Sequence, residues 1–126
     1  MTRKILGSIF ICLLLMSAVA MMVFDFKSNH AKTEVMRTLE NGHELIVYEI
    51  GEPDFPFGAT HCAFELKKDG KRIVFYEFDV ADDGARAHSD LFETSWFADR
   101  VEITVKASEQ DVIHYQLYFD GSISTY

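Results

Sequence analysis

Residues 5–24 carry no charged side chain, and Arg3 and Lys4 stand immediately before them. As a helix, these 20 residues rise about 30 Å, close to the hydrocarbon thickness of a bilayer. Everything after them is polar, acidic and rich in strand-forming residues. The chain therefore divides into an apolar lead, residues 1–24, and a remainder that must build its own core.

Two readings compete for the lead. In the first it is a signal anchor, a single transmembrane helix kept for good, since Met21, Met22, Val23 and Phe24 prolong the apolar run. In the second it is a cleavable signal peptide, with Ala18-Val19-Ala20 as the small residues of an A-x-A site and cleavage after Ala20. Cys12 follows Phe10 and Ile11, too bulky for a lipoprotein site. Both readings leave Arg3 and Lys4 in the cytoplasm by the positive-inside bias. They place the rest outside a bacterial-type plasma membrane, single-pass if anchored and secreted if cleaved. Residues 25–32 then form a short tether of at most about 28 Å when extended, and residues 33–126 the extracytoplasmic domain.

From Asp25 onward there are 102 residues, enough for one domain with a core of its own. Ten Lys and Arg face twenty Asp and Glu there, a formal charge of −10. Such a surface repels phosphate backbones, which argues against nucleic acid, and favours cationic partners. Cys12 and Cys62 fall in different parts of the chain, so an anchored protein has no disulfide framework. Cys62 reads most simply as a small buried hydrophobe.

Turn signals punctuate the domain. Asn41-Gly42 supplies the two positive-φ positions of a type I′ hairpin spanning 33–50, with Val35, Arg37 and Leu39 on one face of its first strand and a central return strand. A loop over 51–58 holds Pro53 and Pro56, the two prolines of the chain. Phe55 and Phe57 flank Pro56 and point the same way, either plugging the core or forming a ridge for a partner. A second hairpin covers 59–80 through Lys68-Asp69-Gly70-Lys71, with Cys62, Phe64 and Leu66 on one face. Lys67, Lys68, Lys71 and Arg72 make a basic tip that discourages edge pairing. A third hairpin joins 91–97 to 100–107 through Ala98-Asp99, with Val101, Ile103 and Val105 alternating inward and Trp96 capping the core. The last strand runs 112–119, and the tail to Tyr126 adds an edge or frays. About seven strands with regular turns predict an all-β, antiparallel β-sandwich, immunoglobulin-like in one version, behind one N-terminal transmembrane helix.

No constellation announces catalysis. His88-Ser89-Asp90 has the triad residue types, but neighbours on a strand face opposite ways. His61 and Cys62 part for the same reason. Carboxylates are too numerous for any pair to stand out. Asp79, Asp82 and Asp83 beside Gly84 form an acidic turn, a weak Ca²⁺ candidate whose spacing departs from the EF-hand loop. The five His (30, 43, 61, 88 and 114) are scattered, and no glycine-rich phosphate loop is present. No cofactor is expected. The leading expectation is a non-enzymatic, membrane-anchored binding domain whose partner is an envelope or membrane protein. The alternatives are an acidic inhibitor or immunity-type protein against a cationic envelope enzyme or toxin, and a small hydrolase using carboxylates or Cys62.

Overall fold

The computed structural model describes residues 2–54 and 58–126, with side chains for 3–20, 31–54 and 58–126. The chain divides into two compact units, residues 1–31 and 32–126.

The first unit is one helix, α1 (Thr2–His30). Apolar side chains stand exposed all round it, including Ile5, Leu6, Phe10, Leu14 and Val19. The stretch Arg3–Ala20 is long and apolar enough to cross a membrane, with a mean hydropathy of 1.8. Residues 25–30 of the expected tether 25–32 are helical backbone, so Ala31 alone separates α1 from the first strand.

The second unit is two antiparallel four-stranded sheets. β1 (Lys32–Glu40), β2 (His43–Ile50), β3 (Thr60–Lys68) and β4 (Lys71–Val80) form one. β5 (Phe92–Trp96), β6 (Arg100–Val105), β7 (Ile113–Tyr118) and β8 (Ile123–Thr125) form the other. The count is eight rather than about seven, because the tail pairs with β7 as a short edge. Each sheet is a meander in which strands pair in chain order. The turns explain the pairing. Asn41 and Gly42 (φ 47° and 78°) and Asp69 and Gly70 (φ 49° and 81°) supply the left-handed pairs that a two-residue hairpin requires.

One core joins the sheets. Leu45, Val47, Cys62, Phe64, Leu66, Val74 and Phe78 face it from the first sheet, and Phe92, Val101, Ile103, Val105, Tyr115 and Leu117 from the second. Phe64 stacks on Phe78 at 4.1 Å and meets Tyr115 edge-on at 5.2 Å. β2 is central, as its two apolar faces imply, and β6 buries Val101, Ile103 and Val105 in strict alternation.

β1 departs from the expected face. Its register slips between Glu34 and Met36, leaving Val35 as a bulge. An extra residue reverses the faces beyond it. Val35 and Met36 both pack against the core, whereas Leu39, expected beside Val35, is 64% exposed.

The crossover 81–91 is stitched to both sheets. Thr60 Oγ1 donates to Ala85 O (2.7 Å), the Ala87 amide to Glu49 Oε2 (3.0 Å), and the Lys106 amide to Leu91 O (2.8 Å).

Candidate functional site

Four hairpin turns (β1–β2, β3–β4, β5–β6 and β7–β8) lie at one end of the domain, because alternate connections of an antiparallel meander fall on the same side. The Asp69 amide donates to Gly42 O (3.1 Å), and Lys68 Nζ to Asn41 O (2.8 Å), docking the first two tips together. The Phe119 amide donates to Asp99 O (3.0 Å), linking the other two. Residues just inside these turns converge between the sheets. His43 opens β2, Trp96 closes β5, and Phe119 follows β7.

The His43 ring stacks on Phe119 at 3.7 Å and 13°. Trp96 lies 6.4 Å from each, tilted. Trp96 Nε1 donates to Thr38 Oγ1 at 3.3 Å, tying β5 to β1. With Glu40, Asn41, Phe97 and Ala98, these rings line a cleft of about 80 Å³. Phe97 is 44% exposed, with the Arg100 guanidinium 4.4 Å from its ring centre. Burial pushes the His43 imidazole down, and the charge of Lys68 adds to this. The cleft thus offers aromatic faces, an imidazole and a carboxylate at its rim. That suits contact with an apolar or planar group.

Phe55 and Phe57 lie outside the described residues. Asp79, Asp82 and Asp83 do not converge. Asp79 Oδ1 lies 2.6 Å from His61 Nδ1, and Asp82 Oδ1 accepts the Ser108 amide at 2.9 Å. Asp83 turns the chain at φ 54°. Hydrogen bonds from Ser108, followed by the charge of His88, hold the Asp82 carboxyl below its ordinary value. Among the described residues, no three His, Cys, Asp or Glu side chains are grouped to hold a metal ion.

Cys62 is fully buried, and burial, with the charges of Glu49 and Asp79, pushes its thiol up to about 12. His61 stands on the opposite face of β3. Ser89 opens a short 3₁₀ turn (Ser89–Leu91), with His88 Nε2 3.7 Å from Asp82 Oδ2. The basic tip is largely spent internally. Arg72 Nη2 and Lys67 Nζ lie 2.6 Å and 3.4 Å from the buried Glu65, and Tyr48 Oη donates to the same carboxylate. Burial raises Glu65, but the bonds from Arg72 and Tyr48 outweigh it and hold the carboxyl low.

Sequence reasoning missed the cleft. Trp96 was expected as a core cap and is half-buried at the core's end; His43, Phe97 and Phe119 carried no individual signal. What they share is position, each one or two residues from a turn, and that matters only once the meanders bring the turns together.

The fold and site define an all-β domain of two four-stranded meanders behind an apolar helix, with an aromatic cleft at its tips. No known protein family, curated protein or solved structure matches the chain.

Proposed function

We propose that the chain is a non-enzymatic binding module held at a plasma membrane by α1. Its β domain lies on the outer side, with a membrane or envelope protein as partner. The observation that carries this is α1 itself: 29 residues long, with the uncharged run 5–24 inside it, and apolar side chains exposed wherever that run's side chains are described. Such a helix is at home in lipid. Arg3 and Lys4 favour a cytoplasmic N-terminus. The shared core supports a β-sandwich for the domain. Its consecutive strand order favours paired meanders over the Greek-key exchange of an immunoglobulin-like domain.

The tips are the binding end in this reading. Phe97 and the Trp96–His43–Phe119 cleft give a half-exposed aromatic contact there, of the kind that anchors protein interfaces. The domain's acidity favours a cationic partner, which keeps the inhibitor or immunity reading as the second form of the same proposal. A hydrolase using Cys62 has the buried, high-pKa thiol against it.

The test is fractionation of cells expressing the full chain, with a photo-crosslinking residue in place of Phe97. The expected result is retention in membranes after an alkaline wash and cleavage of the domain by protease added from outside. Crosslinks to one envelope protein should form from position 97 and not from Glu93 on β5. Release by the wash, with a mature chain starting at Met21, would show the secreted form instead. Equal crosslinking from both positions would remove the tips as the binding end.

A further inference from the structure

At the opposite end of the domain, His61 stands between two carboxylates. Its Nδ1 lies 2.6 Å from Asp79 Oδ1 on β4, and its Nε2 lies 3.0 Å from Asp54 Oδ1, in the connection between β2 and β3. Ionised carboxylates only accept hydrogen bonds, and a neutral imidazole carries a single N–H. Both contacts can be hydrogen bonds together only when His61 is an imidazolium.

We infer that His61 is a protonation-controlled clasp that fastens Asp54 to the outer face of the first sheet and releases it when the ring loses a proton. The neutral ring keeps its N–H on Nδ1, toward the shorter contact with Asp79. Its Nε2 lone pair then faces the Asp54 carboxylate, and the contact becomes repulsive.

The local backbone is built to transmit this. The Gly58 amide donates to Asp54 O (2.7 Å), and the Asp54 amide to Ala59 O (3.1 Å), so Asp54 is bonded to both Gly58 and Ala59. A Cβ at position 58 would overlap the Asp54 Cβ and lie 2.9 Å from its carbonyl oxygen, so this close approach requires glycine. Among the groups around His61, Asp79 and Asp54 favour the charged ring and burial opposes it. On its own face, Ile50 is opposite on β2, and Asp79 is opposite on β4 with Glu77 one pair further along. Lys32, opposite Ile50 on β1, holds its ammonium over Phe75 at 4.5 Å, and Glu52 in the connection pairs with Arg86 at 2.8 Å.

Hydrogen bonds from Asp79 and then Asp54 raise the His61 imidazole above its ordinary 6.5. The sign follows from that direction. The clasp is fully formed below about 6.5 and is lost as pH rises through the raised value. His61, Asp54 and Asp79 side chains are 42%, 59% and 61% exposed, so solvent screens the pairs and the readout is local opening, not global unfolding.

The test is a pH titration of the full chain in detergent micelles, from about pH 5 to about pH 9, following the His61 ring nitrogens and the Asp54 and Gly58 amides by NMR. Expected are two protonated ring nitrogens at the acid end and a His61 midpoint above 6.5. The two amides should shift with that same midpoint. Asp54→Asn and Asp79→Asn should each lower the midpoint, and His61→Gln should abolish the amide transition while leaving the rest of the spectrum in place. A midpoint at or below 6.5, a midpoint unmoved by Asp54→Asn, or amides that ignore the His61 titration would each overturn the clasp.

Discussion

Phe64 is the side chain on which the two sheets meet. It is fully buried, stacked on Phe78 from its own sheet and edge-on to Phe92 and Tyr115 from the other. Replacing it by alanine removes those contacts and leaves a cavity that strands on both sides hold open. Phe64→Ala should cost about 3–5 kcal/mol, measured by urea unfolding, a large fraction of the roughly 5–15 kcal/mol typical of a whole domain. A loss under about 1 kcal/mol would mean that the site collapses freely and that Phe64 is not the junction. Its neighbour two positions back sets a chemical prediction. Cys62 is buried, and its thiol is pushed up to about 12. In a Cys12→Ser background, maleimide labelling of the native protein should be slower than of the urea-unfolded protein by at least ~10²-fold. Fast labelling in the native state would revive Cys62 as a nucleophile. At this scale the sequence was informative where it reported packing: Cys62, Phe64 and Leu66 do share the inward face. It was silent on His61, because what makes that histidine unusual is Asp79, eighteen residues away, and Asp54, seven residues before it.

The elements show the same division. Asn41-Gly42 and Asp69-Gly70 encode their turns locally, since few residue pairs take two successive left-handed conformations at little cost. Regular alternation in β6 was equally legible, because only one face of it is apolar. β1 was not. Val35, Met36 and Leu39 place apolar residues on both faces, so the pattern fits two registers, and the bulge at Val35 selects between them. The choice has a measurable consequence. Leu39→Ser, at a position 64% exposed, should change stability by no more than about 0.5 kcal/mol. Met36→Ser, packed against the core, should cost more than about 1 kcal/mol in the same urea titration. The reverse ranking would restore the unbulged strand, with Leu39 inside. The eighth strand escaped for a related reason. Ile123–Thr125 is too short to show a period, and only its pairing with Tyr115, Gln116 and Leu117 makes it a strand.

At the scale of the molecule, the question is whether the β domain depends on the helix that precedes it. The core among the described residues draws on nothing before Val35. Its sheets pair in chain order, so most contacts join neighbouring strands and close short loops, a topology whose entropy cost is modest. The domain's charge of −10 is spread over nine basic and nineteen acidic residues from Lys32 onward, which favours solubility once the apolar helix is gone. Residues 32–126 alone should therefore be soluble and monomeric at low concentration. They should unfold in urea as one cooperative transition, with coincident tryptophan fluorescence and far-ultraviolet circular dichroism. Trp96 makes this a demanding test. It sits at the tip end, hydrogen-bonded to Thr38 on β1, so its fluorescence reports whether the two sheets remain joined there. A fluorescence change at lower urea than the loss of β signal would mean that the sheets separate before they melt. The tips would then be a loose end, which cannot hold the preformed aromatic cleft proposed above as the binding end. Coincident transitions would mean that the cleft exists before any partner arrives. Binding would then require no ordering of the tips, and α1 would serve to hold the domain in place and not to fold it.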